Sequence, residues 1–105
     1  MLEREIEKKF VDRAHRLGYQ TVKLNTLGAR GRAGWPDRMI IVPHGIMFIE
    51  FKRTPADKPS PRQQVCIDKL RALGHHVLVC CTAEEALHAV KIFAAKCRER
   101  VGRDV

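Results

Sequence analysis

The chain has no apolar run long enough to cross a membrane, and its first residues, Met1-Leu-Glu-Arg-Glu-Ile-Glu-Lys-Lys, place charge where a secretory leader needs hydrophobicity. That pattern offers no membrane-spanning helix and leads us to expect an intracellular protein. Glycine and proline are few, 7 and 5, which excludes collagen-like and low-complexity chains. The cysteines, Cys66, Cys80, Cys81 and Cys97, show neither CxxC nor zinc-type Cys/His spacing, and three lie inside apolar runs. Free, buried thiols are expected rather than disulfides or zinc ligands. The phosphate-binding P-loop, the dinucleotide-binding glycine fingerprint and the Gly-x-Ser-x-Gly nucleophile elbow are all missing. Acidic residues are also scarce, with 12 Asp and Glu against 20 Lys and Arg, a net charge of +8. A positive field of that size on a small body attracts polyanions, and nucleic acid becomes the leading partner class.

What is present suits one globular domain over residues 1–105, with 45% apolar and 30% charged residues. Ile6, Phe10, Ala14 and Leu17 recur at helical spacing before Gly18, predicting an amphipathic helix over 2–17. Tyr19–Leu24 suits a short strand, and Asn25–Pro36 a basic, glycine-rich loop. Arg38–Val42 and Ile46–Lys52, parted by Pro43-His44-Gly45, predict a hairpin. Ser60-Pro61 suits the start of a helix running to Leu73, with Pro at its first turn. His76–Cys81 is nearly all apolar, as in a strand covered on both faces. Thr82 with Glu85 forms a capping-box signal for a last helix over 83–98, with a charged tail from about residue 99. The order α-β-β-β-α-β-α implies an α/β fold, a mixed sheet flanked by helices.

Chemistry concentrates on the second hairpin strand. Side chains alternate along a strand, so Glu50 and Lys52 share a face. A turn centred on His44 makes paired residue numbers sum to about 88, which places Asp37 near Phe51. Sums of 87 or 89 put Asp37 on the face of Glu50 and Lys52, whereas 88 puts it on the other, and the parity stays open at this level. Two convergent carboxylates about 4 Å apart repel by roughly 4 kcal/mol at an effective dielectric of 20, and a divalent cation relieves that repulsion. All-oxygen donors, to which the Phe51 carbonyl adds a third, point to Mg²⁺ or Mn²⁺. Lys52 would then orient a water or stabilise charge on a phosphate.

Gly34-Trp35-Pro36-Asp37, then Glu50-Phe51-Lys52, then Ser60-Pro61-Arg62-Gln63 together resemble the VRR-NUC family of the PD-(D/E)xK nucleases. The resemblance spans nearly the whole chain. It implies a restriction-endonuclease-like fold and metal-dependent cleavage of DNA. Stand-alone members of this size are dimeric, branch-specific nucleases of phages and bacteria, so a homodimer in the cytoplasm of a bacterial or phage-infected cell is expected. It also implies Asp37 and Glu50 as metal ligands, Lys52 as the catalytic lysine and Gln63 as a supporting residue. An acid on the first helix is implied too, Glu3 by its frame or Glu7 one turn along, and Lys23 matches a basic position of unassigned role.

From the residues themselves, Arg30, Arg32 and Arg38 around the glycine-rich loop are candidates to grip phosphates. Trp35 could stack on a base, wedge a junction, or pack on the hairpin. The five histidines are scattered and suggest no metal pair. Branched DNA, as in a Holliday junction or flap, is the expected substrate, within replication, recombination or repair. The competing readings are a non-catalytic nucleic-acid-binding module of the same fold and a basic interaction subunit of a repair assembly.

Overall fold

The computed structural model describes residues 1–24 and 34–103. Seven elements follow in the expected order: α1 (Glu3–Arg16), β1 (Gln20–Lys23), β2 (Arg38–Val42), β3 (Gly45–Phe51), α2 (Pro61–Ala72), β4 (His76–Cys80) and α3 (Ala83–Arg103). The four strands form one mixed sheet in sequential order, antiparallel from β1 to β3 and parallel between β3 and β4. The parallel step needs a crossover, and α2 supplies it.

Alternation along β3 divides its side chains between two cores. Met47, Ile49 and Phe51 face α1 and α3, packing with Ile6, Phe10, Val90 and Ala94. The rings of Phe10 and Phe51 lie 5.5 Å apart at a 52° tilt. Phe48, Val77, Ile67 and Leu70 make the smaller core beneath α2. At roughly 1.5–3 kcal/mol for each large apolar side chain fully removed from water, the first core dominates the stability. Glu50 follows Phe48 on the α2 face, so the element carrying the candidate chemistry is anchored from behind by the larger core. Among the described residues no helix is long and apolar enough to cross a membrane.

Two boundaries depart from the sequence reading. The hairpin turn holds only Pro43 and His44, because Val42 pairs with Gly45 and His44 takes the positive φ of 67°. Proline followed by a left-handed residue is the type II pattern. Gly45 therefore begins β3, and the pairing of Arg38 with Ile49 gives a sum of 87. The charged tail expected from about residue 99 is helix instead, since α3 reaches Arg103. The buried stripe of Val90, Ala94 and Cys97 continues to half-buried Val101 at the same spacing, and arginine and glutamate between them are good helix formers.

All four cysteines are free, with Cys80 and Cys97 buried and Cys66 and Cys81 half-buried. Burial pushes the Cys80 thiol up to about 12, which makes it unreactive at neutral pH. Cys97 packs against Gly45, where a Cβ would overlap its Sγ and lie 3.2 Å from the Phe93 ring. Gly45→Ala is therefore expected to cost about 1–3 kcal/mol of stability, read as a lower thermal midpoint. Adding Cys97→Ala should recover part of that loss, and a Gly45→Ala protein as stable as wild type would contradict this packing.

Candidate active site

The GWPD turn and the SPRQ helix start, distant in sequence, touch each other. Gly34 has φ +90°, and a Cβ there would lie 3.1 Å from both the Arg62 carbonyl oxygen and its Cγ. Glycine is thus required for conformation and for space. Trp35 packs edge-on against Phe48 with centroids 6.2 Å apart, and Pro36 is buried. Asp37 is delivered by a segment clamped between α2 and the sheet.

The register sum of 87 places Asp37 on the face of Glu50, which settles the parity in favour of convergence. Just beyond the last ladder pair, Asp37 Oδ2 accepts the Phe51 N–H at 2.8 Å. The N–H and C=O of one strand residue point to the same side, so the Phe51 carbonyl also opens toward Asp37. On the other side of β3, the Lys52 N–H donates to the Cys80 carbonyl at 2.8 Å, fixing the end of the strand.

Gln63 joins the remaining groups. The Ser60 hydroxyl accepts the Gln63 N–H at 3.2 Å, and Gln63 Oε1 accepts the Ser60 N–H at 2.9 Å, a complete capping box. The same Oε1 accepts Lys52 Nζ at 3.1 Å, while Nε2 donates to Glu50 Oε2 at 2.9 Å. Lys52 Nζ lies 2.9 Å from that Oε2. The cap that starts α2 thereby also fixes the rotamer that bridges Glu50 and Lys52.

Glu50 is only 2% exposed and is the one buried charged residue among those described. Burial first, and the negative charge of Asp37 second, push its carboxyl from 4.5 to about 7, against the opposing pull of Lys52. Its Oε1 is buried and has no hydrogen-bond partner. A buried carboxylate oxygen without a donor costs on the order of 1–3 kcal/mol, more when ionised, and a cation at that oxygen would remove the cost. The oxygens of Asp37, Glu50 and the Phe51 backbone therefore fit a hard divalent cation.

The other sequence candidates are placed as follows. Glu3 is exposed on the first turn of α1, beside Arg4, Arg53, Asp57 and Lys58 in a cleft of about 610 Å³. Neither it nor any other Asp, Glu, His or Cys among the described residues forms a three-ligand group with Asp37 and Glu50. Glu7 is tied to Arg38, whose Nε donates to it at 2.6 Å, with side chains 13% and 17% exposed. Arg38 also reaches the Thr21 hydroxyl at 3.4 Å, so it is held in the sheet rather than presented to a phosphate. Lys23 is exposed on β1 beside Arg38. Of the readings for Trp35, the structure shows packing on the hairpin. Arg30 and Arg32 lie outside the described residues. Arg4 belongs to the basic set of the first helix, whereas Arg53 and Lys58 were not singled out from sequence, although Arg53 directly follows Lys52 at the end of the candidate strand.

No protein-family model matches the chain. Over 78 residues, 73% of this chain and 80% of the relative, it is 40% identical to "Putative nuclease p44" of Acyrthosiphon pisum secondary endosymbiont phage 1. A solved structure named "VRR_NUC domain" is similar with a TM-score of 0.72 and 30% identity, covering 85% of this chain and 94% of that one. The chain belongs to the VRR-NUC family. Its mixed sheet and α-β-β-β-α-β-α order are the restriction-endonuclease-like fold expected of a VRR-NUC domain. Within that VRR-NUC frame, the three motifs quoted from sequence are the segments that meet around Glu50.

Proposed function

We propose that this VRR-NUC protein is a divalent-metal-dependent endonuclease that hydrolyses DNA phosphodiester bonds. The observation that carries the reading is the buried, unpartnered Glu50 Oε1 on the face shared with Asp37, with Lys52 at hydrogen-bond distance on the same carboxylate. Asp37, Glu50 and the Phe51 carbonyl would hold Mg²⁺ or Mn²⁺, which when bound supplies a more acidic water and a neutralised phosphate. Lys52 places a positive charge where negative charge develops on the phosphate or where the attacking water must be oriented. Gln63 keeps Lys52 and Glu50 in register through the reaction. The net charge of +8 supports a polyanionic substrate.

We further propose branched DNA as the preferred substrate and a homodimer as the working form. A single site cuts one strand, and paired cuts across a junction call for two sites related by a two-fold axis. Val65 on α2 and Leu73 at its C-cap, both large exposed apolar side chains, support a self-association surface. Light scattering at micromolar concentration should give twice the chain mass, and a monomer mass would remove this part of the reading.

The test is a labelled panel of single strand, duplex, flap, fork and four-way junction, with Mg²⁺, Mn²⁺ or EDTA. Wild type should cut only with metal and prefer a branched member. Asp37→Ala should reduce cutting by about 10³-fold or more while salt-sensitive binding stays largely intact, since Lys and Arg contacts to phosphates supply most affinity. Normal cutting by Asp37→Ala would overturn the site, and metal-independent binding without cutting by wild type would favour a non-catalytic module.

A further inference from the structure

A second basic cleft lies at the opposite end of α2 from Gln63. It has a volume of about 1010 Å³ and gathers His44 from the hairpin turn, Arg71 from the last turn of α2, His75 and His76 at the entry to β4, and Lys96 and Arg100 from α3. Among the described residues no Asp or Glu lines it. Lys96 and Arg100 form no ion pair among the described residues, in contrast to Lys9 and Arg13, which share Glu84. Arg71 gives one donor to the Val77 carbonyl at 2.8 Å, leaving the rest of its guanidinium for a ligand. The His76 ring is stacked on Phe93, 5.5 Å between centroids at 21°, which holds it on the cleft wall. Cations drawn from separate elements, with no carboxylate to neutralise them, form a concave region of one sign, which suits a polyanion. Gly74 in the lining has open space where a Cβ would stand.

We infer that this cleft binds the sugar–phosphate backbone of a DNA arm away from the bond being cut. The inference rests on the nuclease reading for the identity of the polyanion, while the cleft itself is independent of Asp37 and Glu50. β3 runs from Gly45 in the cleft to Glu50 in the site, and at about 3.3 Å per residue that step spans roughly 17 Å. At about 3.4 Å per nucleotide along one strand, the cleft meets phosphates some five base pairs from the cleaved one. It would therefore set how long an arm must be for tight binding, without taking part in bond breaking.

The test compares Lys96→Ala/Arg100→Ala with Lys91→Ala/Arg98→Ala, a pair on the same helix that removes equal charge outside the cleft. Binding is measured in EDTA to branched DNA whose arms are either about 20 or about 4 base pairs long, bracketing the roughly 17 Å strand span. The cleft pair should weaken long-arm binding by about 10- to 100-fold and lower its salt slope by about 2, with short-arm binding little changed. Turnover at saturating long substrate with Mg²⁺ should stay at the wild-type value. Equal losses on both arm lengths, equal losses in the control pair, or no loss would each overturn the inference, as would a loss seen only with anionic lipid vesicles or free inorganic phosphate as probe. Because binding is read without metal, a protein that never cuts would sink the nuclease reading and leave this result standing.

Discussion

Lys52→Met is expected to leave a folded protein that binds branched DNA yet cuts it about 10²- to 10⁴-fold more slowly, the range for losing one positioned charge or proton-handling group. Methionine keeps an unbranched side chain in a position only 12% exposed, so packing is preserved. The ammonium is also what pulls the Glu50 carboxyl down, against burial and Asp37. Without it Glu50 ionises at still higher pH, and metal should bind less well at neutral pH and recover in alkali. Single-turnover cleavage at saturating Mg²⁺ and pH 9 separates the two effects. A rate restored to wild type there would mean that Lys52 acts only through Glu50, and an unchanged rate at pH 7 would remove it from the chemistry.

The second large effect belongs to Glu50→Gln, which should abolish metal-dependent cleavage, a fall of about 10³-fold or more, while stabilising the metal-free protein. Glu50 has a folded value raised from 4.5 to about 7. The folded state therefore holds its proton more tightly than the unfolded chain, and stability is lost as pH rises from about 4.5 to about 7 and the penalty is complete above that. Glutamine carries no such penalty, although it also leaves Lys52 without its ion-pair partner. In EDTA at pH 8 a net gain on the order of 1 kcal/mol, or about 4–8 °C in Tm, is expected, fading near pH 5. Mg²⁺ should raise the wild-type Tm and leave the variant unmoved. A variant no more stable than wild type at pH 8 would show that Glu50 is not strained, and one that still gains stability from Mg²⁺ would show that it is not a ligand.

The motifs were legible in the sequence, and their meeting was not. The strands and helices follow from periodicity and caps, and Thr82 does accept the Glu85 N–H at 3.1 Å as the capping signal implies. Convergence of Asp37 with Glu50 hung on one residue of turn length. A three-residue turn around His44 and a two-residue turn at Pro43-His44 differ by one in register, and one unit of register exchanges the two faces of a strand. Proline and a left-handed histidine decide it, and histidine is a weak advertisement for positive φ. α3 outruns its sequence signal because the charged residues at its end mask the continuing stripe at Val101. The first-helix acid was beyond sequence reasoning altogether. Glu3 and Glu7 differ by one turn, and only the fold shows that Arg38 occupies Glu7 while Glu3 lies at the surface.

The capping box of α2 has one more implication. Gln63 Oε1 accepts both the Ser60 N–H and Lys52 Nζ, so the first turn of a helix and the Glu50–Lys52 pair share one acceptor atom. Fraying at that turn would consequently release Gln63 from both Glu50 and Lys52 in one opening event. The lifetime of the competent site is the lifetime of a helix end. Ser60, which touches neither Glu50 nor Lys52, belongs to the same cooperative unit, so its replacement would register in the timing of turnover before it registered in global stability.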